Sequence, residues 1–122
     1  MAAACDVSII AEVTGLGKGL NFSEKFSITT APTRAIYHYM IQAVADTDEA
    51  LALGDVATEG LLFIKCVAND VDLDLDYVSA FDADLTINEG ECAVIPLPAG
   101  IIRFKNNDAT ELSTIEYLLV GT

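Results

Sequence analysis

Within residues 70–78, acidic and apolar side chains alternate strictly from Asp70 to Tyr77, and this alternation constrains the fold more than any other feature of the chain. Successive side chains of a β-strand point to opposite faces, so a period of two identifies a strand with one buried face. The side chains expected to point inward are Val71, Leu73, Leu75 and Tyr77. Those expected to point outward are Asp70, Asp72, Asp74 and Asp76.

Turn signals rich in Gly, Pro, Asn and Asp recur at short intervals along the whole chain, as they do between many short strands. The apolar or alternating segments between them are residues 5–13, 20–28, 34–44, 61–67, 70–78, 85–87, 92–97, 101–105 and 113–120. Helical periodicity is almost absent, so we predict an all-β fold of about eight or nine short strands, an antiparallel β-sandwich or the related jelly roll. Residues 1–122 are expected to form one domain, with residues 1–4 as a flexible N-terminal arm.

The first two predicted strands flank a glycine-rich segment, residues 15–19. In the second strand Leu20, Phe22, Phe26 and Ile28 share one parity, which predicts one buried face. The glycines resemble a phosphate-binding loop, but the P-loop pattern is incomplete, and Leu20 stands where a dinucleotide-binding turn needs its third glycine. A flexible hairpin turn is the better interpretation.

Residues 61–67 are apolar except for Lys65, which predicts a strand buried on both faces at the centre of the core. Residues 34–44 carry the β-branched and aromatic bias of another strand. Two alternatives stay open just beyond it. Asp46 and Glu49 resemble a helix capping box, whereas a short strand over residues 50–53 fits equally well.

The chain is both apolar and acidic, which limits its partners. Apolar residues make up 52% of the sequence, more than one small core needs, so a homo-oligomer or larger assembly is expected. The net charge is −13, and a surface of this sign repels nucleic acid. No apolar run approaches the roughly 18 residues of a spanning helix, and the first residues lack the pattern of a signal peptide. We therefore expect no nucleic-acid or membrane partner and synthesis in a reducing cytoplasm.

None of the residue patterns typical of catalysis or metal binding is complete. Cys5, Cys66 and Cys92 are odd in number and lack a C-x-x-C pair, so we interpret them as small buried hydrophobes rather than disulfide or zinc ligands. The single histidine, His38, cannot form a metal cluster, and no nucleophile elbow accompanies it. We predict that the protein is not an enzyme and has no cofactor.

The acids of the alternating strand are the main candidate site. Their spacing resembles the start of an EF-hand loop, but Leu75 and Phe81 occupy positions that need glycine and glutamate. Carboxylates on one face of a strand also stand about 7 Å apart, too far to converge on one ion. We therefore predict a solvated or partner-facing edge formed by Asp70, Asp72, Asp74 and Asp76. A weak cation site in a loop with Asp82 and Asp84 is the alternative.

Four tyrosines leave a carbohydrate-binding function open. They are Tyr37, Tyr39, Tyr77 and Tyr117. Exposed together, they would stack on sugar rings, although core and interface positions are the commoner fate of tyrosines. The absence of tryptophan removes the usual stacking platform.

The second part of the chain contains four turn-and-strand segments in succession: residues 53–65, 89–97, 101–105 with the Asn-Asn turn that follows, and 115–122. In this order they resemble small β-sandwich structural proteins of tailed bacteriophage virions. Cys66 departs from the pattern, because an asparagine is expected at the end of the first of these strands. The resemblance implies an oligomeric virion component made without a signal peptide, either a capsid decoration (cement) protein or a tail or fibre subunit.

Residue patterns and resemblance together lead to one main hypothesis, a non-enzymatic capsid decoration protein that binds the capsid lattice through protein contacts. Its partners would be other virion proteins, such as the major capsid or tail protein. The alternative is a tail or fibre subunit that acts as a carbohydrate-binding adhesin module. A host-directed accessory protein of β-sandwich form also fits the sequence.

Overall fold

The described part of the chain folds into β-strands alone, which confirms the predicted fold class. In the computed structural model the described residues are 3–42, 47–97, 101–106 and 112–122, and within them no helix is found that could cross a membrane. The strands are β1 (Asp6–Val13), β2 (Leu20–Ser27), β3 (Arg34–Gln42), β4 (Glu49–Ala50), β5 (Glu59–Ala68), β6 (Val71–Tyr77), β7 (Leu85–Ile87), β8 (Cys92–Pro96), β9 (Ile101–Asn106) and β10 (Ser113–Gly121).

Eight of these strands form two four-stranded antiparallel sheets. Sheet I has the order β3-β10-β5-β8, and sheet II has the order β4-β9-β6-β7. In the series from β3 to β10, the first strand pairs with the last, the second with the second to last, and so on inward. The pairs are β3 with β10, β4 with β9, β5 with β8 and β6 with β7. A long antiparallel hairpin wound around itself produces this order, which is that of a jelly roll.

The hydrophobic core lies between the two sheets. Sheet I contributes Leu62, Ile64, Cys66, Ile115, Tyr117 and Leu119, and sheet II contributes Val71, Leu73, Ile87, Ile102 and Phe104. β5 lies inside sheet I, between β10 and β8, as its apolar sequence predicts. It is buried on both faces at Leu61 and Leu62, but Lys65 is exposed because the outer face of sheet I is open there.

β10, an inner strand of sheet I, is held by contacts at its middle and at its C-terminal end. In the middle of β10, the buried Tyr117 hydroxyl donates a hydrogen bond to the Ala52 carbonyl at 2.6 Å, and the His38 ring of β3 meets the Tyr117 ring edge-on with 5.9 Å between centroids. At the C-terminal end, a Cβ on Gly121 would lie 2.0 Å from the Thr58 carbonyl oxygen. Only glycine therefore fits where β10 passes this loop.

Two predicted segments differ from the structure in their bounds. β4 follows the strand alternative and not the helix, but it begins at Glu49 and has only two residues. It also raises the number of strands in the described residues to ten, above the predicted eight or nine. Asp46 and residues 43–44, which were assigned to the capping box and to the end of β3, lie outside the described residues.

β1 and β2 form a separate two-stranded sheet, which we name the hairpin arm (residues 6–27). Its turn contains Gly15 and Gly17 with φ of 86° and 89°, a left-handed conformation that glycine adopts without strain. Every β2 side chain is exposed. The predicted burial of one β2 face is therefore wrong for the single chain, because the described residues leave that face uncovered beyond the base of the arm.

Candidate interaction surfaces

The acidic residues of the alternating segment are not all exposed, as the alternation predicts they would be. Asp70 and Asp76 are exposed and Asp72 is half-buried, but Asp74 is only 1% exposed. Asp74 keeps its regular pairing with Arg103 and so remains on the outer face of sheet II, where the segment after β6 covers it and the Asp82 amide bonds to its carboxylate. The pairing of β6 with β9 shifts register only beyond Asp74, and a bulge of this kind turns the side chains beyond it to a different face: Tyr77, predicted to point inward, contacts Arg103 instead.

Asp74 borders this bulge and binds the backbone on its far side. Its Oδ1 accepts a hydrogen bond from the Asp76 backbone amide at 3.1 Å, and its Oδ2 accepts one from the Asp82 amide at 3.0 Å. The Leu75 amide donates to Oδ2 of Asp84 at 2.7 Å. Backbone amides that the strand pairing leaves unsatisfied thus find carboxylate partners, which makes a buried aspartate tolerable.

The remaining acids bind neighbouring parts of their own chain. Asp70 Oδ1 accepts a hydrogen bond from the Glu89 amide at 2.9 Å, and Asp72 Oδ1 accepts one from the Thr86 hydroxyl at 2.6 Å. β6 is also an inner strand, with β9 and β7 on its two sides, so the predicted acidic edge is wrong. Contact of these acids with a partner stays a prediction, and the buried Asp74 is removed from it.

Asp74, Asp76 and Asp84 come together, with ligand atoms within 4.8 Å of one another. The charge of Asp84 is the main cause that raises the pKa of Asp76 above its ordinary value. A proton or a cation would relieve this repulsion. Both oxygens of Asp74 already accept backbone hydrogen bonds, however, so the bulge explains the cluster without an ion.

The outer face of sheet II also carries paired basic residues. Arg103 forms an ion pair with Asp48, and its guanidinium lies 4.7 Å from the centre of the Tyr77 ring. The ammonium group of Lys105 lies 5.9 Å from the centre of the Phe81 ring. This face is therefore charged, and its charges have partners within the chain.

The outer face of sheet I is apolar by contrast. The strand register aligns Tyr37, Leu118, Phe63 and Val94 across all four strands, and we name this line of side chains the apolar row. Tyr37 is 67% exposed and Val94 is also exposed. The next row along the strands is Tyr39, Glu116, Lys65 and Cys92. The apolar surplus is evident from the composition, but its location at these positions depends on the strand register.

The hairpin arm has two chemically different faces. Its apolar face is formed by the cross-strand pairs Val7–Phe26, Ile9–Glu24, Ala11–Phe22 and Val13–Leu20. Its polar face is formed by the pairs Asp6–Ser27, Ser8–Lys25, Ile10–Ser23 and Glu12–Asn21. The apolar face is covered only at the base of the arm, where Val7 is 4% exposed, whereas Phe22 nearer the tip is 55% exposed.

The base of the arm lies against one end of sheet I. A groove of about 420 Å³ separates them, with Phe26 and Ile28 on the arm side and Leu61 and Pro96 on the sheet side. A second hollow, of about 480 Å³, lies between Cys5 and residues of β3 and β10. The arm is therefore anchored at its base and extends away from the sandwich.

The four tyrosines do not form one surface. Tyr37 and Tyr39 are exposed next to each other on β3, while Tyr77 lies under Arg103. Tyr117 is in the core, where burial raises the pKa of its hydroxyl to about 12. Only the β3 pair could stack on a ligand.

The three cysteine thiols differ in environment, although the sequence predicts that all are buried. Cys66 is buried, and desolvation raises the pKa of its thiol to about 11. Cys5 is half-buried, and Cys92 is exposed on the outer face of sheet I. The prediction is therefore correct for Cys66 and wrong for Cys92, because β8 is an edge strand whose outward side chains have no cover.

Comparison with protein-family models, with curated proteins and with solved structures returns no match to this chain.

Proposed function

We propose that this protein is a non-enzymatic structural subunit of a bacteriophage virion, a decoration protein that binds the capsid lattice through protein contacts. One observation carries the proposal: two apolar surfaces, the apolar face of the hairpin arm and the apolar row of sheet I, are uncovered in the single chain. Exposed apolar patches of this extent are typical of protein interaction sites.

The charge distribution supports a protein partner. The hairpin arm carries three acids and two lysines, whereas the rest of the chain carries sixteen acids against four basic residues. The acidic sandwich repels nucleic acid and other acidic surfaces. The nearly neutral arm is the part that can approach another subunit without a large electrostatic cost.

Assembly on a lattice would also lower the affinity that each individual contact needs. Many copies bound to one particle gain avidity, so a modest interface per subunit suffices.

The test is the presence of the chain in purified particles. Particles separated by density gradient, treated with nuclease and washed in high salt should contain the chain at a fixed ratio to the major capsid protein, as measured by mass spectrometry. Tail fractions separated from heads would show which part of the particle holds it. Absence of the chain from intact particles would contradict the proposal.

A carbohydrate-binding tail or fibre module is the second candidate, because Tyr37 and Tyr39 are exposed side by side on β3. Adjacent exposed aromatic rings can stack on sugars. A glycan array should then show binding that Tyr37→Ala and Tyr39→Ala abolish. Ile41→Ala, at an exposed apolar position of the same strand, is the matched control. If no sugar binds at millimolar concentration, this candidate is removed.

A further inference from the structure

The hairpin arm is an element that cannot be stable by itself. An isolated two-stranded hairpin is marginally stable in water and needs a further strand or a packing surface on its apolar face. Only the Val7 end of this face is covered by the chain itself. Beyond Val7 the arm extends through Val13, about 20 Å at the usual rise per strand residue.

We infer that the apolar face of the hairpin arm packs on the outer face of sheet I of a second copy of this chain. The inference deepens the proposed function and rests on it only in treating the chain as an assembly subunit. It names the partner as a second copy and identifies both surfaces of the contact.

Spacing along the two surfaces favours this match. Alternate residues of a strand are about 7 Å apart, both on the arm and on the sheet. Two packed sheets keep their strands within about 30° of each other. When Phe22 lies on the apolar row at Phe63 and β2 runs in the same direction as β5, Glu24 lies one row further, at the level of Lys65.

Charge complementarity selects the same register. Glu24 is the one charged side chain on the apolar face of the arm. Lys65 is exposed on the outer face of sheet I, next to Glu116 and Cys92 in the strand register. A Glu24–Lys65 pair between copies would satisfy the single charge that otherwise opposes burial of the arm.

The tip of the arm also meets an apolar surface in this register. Leu20 precedes Phe22 by one row and would lie at the level of Leu61 and Pro96. These two residues line the groove of about 420 Å³ at the base of the second copy's own arm. The groove can accept an apolar side chain from the neighbouring tip.

Sedimentation velocity of the purified chain over a range of concentrations tests the inference without any particle. The chain should form an oligomer, and Phe22→Ser should weaken its association by at least about tenfold. Ile10→Ser, which changes an exposed apolar residue on the polar face of the arm, should leave association unchanged. Circular dichroism and thermal unfolding show that each variant retains the fold.

The charge pair provides the second part of the experiment. Glu24→Lys and Lys65→Glu should each weaken association, and the double variant should restore it. An equimolar mixture of the two single variants should also associate more tightly than either alone, because the arm of one then matches the sheet of the other.

Three outcomes would overturn the inference. A wild-type chain that stays monomeric at all concentrations would show that a second copy is not the partner. Equal effects of Phe22→Ser and Ile10→Ser would exclude the apolar face as the contact. Loss of association with Phe22→Ser but not with Lys65→Glu would indicate that arms pair with each other and not with sheet I. None of these outcomes bears on the presence of the chain in particles, so the proposed function is tested separately.

Discussion

Phe104 and Phe22 lie in strands with the same kind of pattern, yet they have different environments. Both alternate with polar or charged neighbours, Phe104 in β9 and Phe22 in β2. Phe104 is fully buried because sheet I covers the inner face of sheet II, while Phe22 remains 55% exposed because nothing in the described residues covers the arm beyond its base. Alternation thus identifies the face a strand will bury, but it does not identify what buries it.

The largest expected effect is the difference in the free energy of unfolding between variants at these two positions. Phe104→Ala should lower the free energy of unfolding by about 3–5 kcal/mol, because it leaves a cavity in the core. Phe22→Ala, measured by urea denaturation at a dilution where the chain is not assembled, should change it by less than about 0.5 kcal/mol. Equal losses of stability for the two variants would mean that the arm is part of the folded core. The contrast between Phe104 and Phe22 would then be wrong.

A smaller effect is expected at Asp74, which the alternation predicts to be exposed and the structure shows to be buried. Asp74→Ala should lower the free energy of unfolding by about 2 kcal/mol, because two backbone amides lose their acceptor. Asp70→Ala is the matched control in the same acidic segment, and it should cost less than about 1 kcal/mol since its hydrogen bond is exposed. Urea denaturation of both variants checks this order, and a larger loss for Asp70→Ala would contradict the assigned role of the bulge.

The smallest effect concerns the exposed Asp76. Because Asp84 raises the pKa of Asp76 in the folded chain, the folded state binds a proton more tightly than the unfolded state does. At pH values above the raised pKa, the repulsion therefore lowers the free energy of unfolding by its full amount. This loss of stability disappears as the pH falls to the ordinary pKa of an aspartate. Asp76→Asn should stabilise the protein at neutral pH.

Unfolding midpoints measured across the acid range check this pH dependence. The stability difference between Asp76→Asn and the wild type should shrink as the pH falls through the raised pKa. A difference that is the same at neutral and acidic pH would show that Asp76 and Asp84 do not repel each other in the folded chain.

Much of the fold follows from the sequence because local patterns determine strands. The segments around Leu62, Leu73 and Leu119 were predicted as strands from apolar runs or alternation, and the structure places all three in the core. The order of strands in the two sheets could not be predicted, since it depends on contacts between residues far apart in the chain. The same limit applies to β4, whose two residues carry too little pattern to separate strand from helix.

The candidate surfaces were predicted less well, and the reasons are physical. Asp74 has the parity of an outward residue and keeps it, but the segment that contains Asp82 covers it, and no pattern within the strand predicts that contact. The acids of β6 were expected at an edge, yet β6 became an inner strand through pairing with the distant β9. The shared parity of Tyr37, Tyr39 and Ile41 indicates an apolar face of β3, but the apolar row joins four strands and depends on pairing between residues far apart in the chain.

Hydrogen exchange of the arm at different protein concentrations tests most directly whether another copy covers the arm. Amides in β1 and β2 beyond Val7 should exchange quickly in dilute protein and become protected as the concentration rises, because a second copy then covers the arm. Amides of β5 and β10 should be protected at every concentration, since their sheet lies over the core of the same chain. Rapid exchange of the arm at all concentrations would contradict the account.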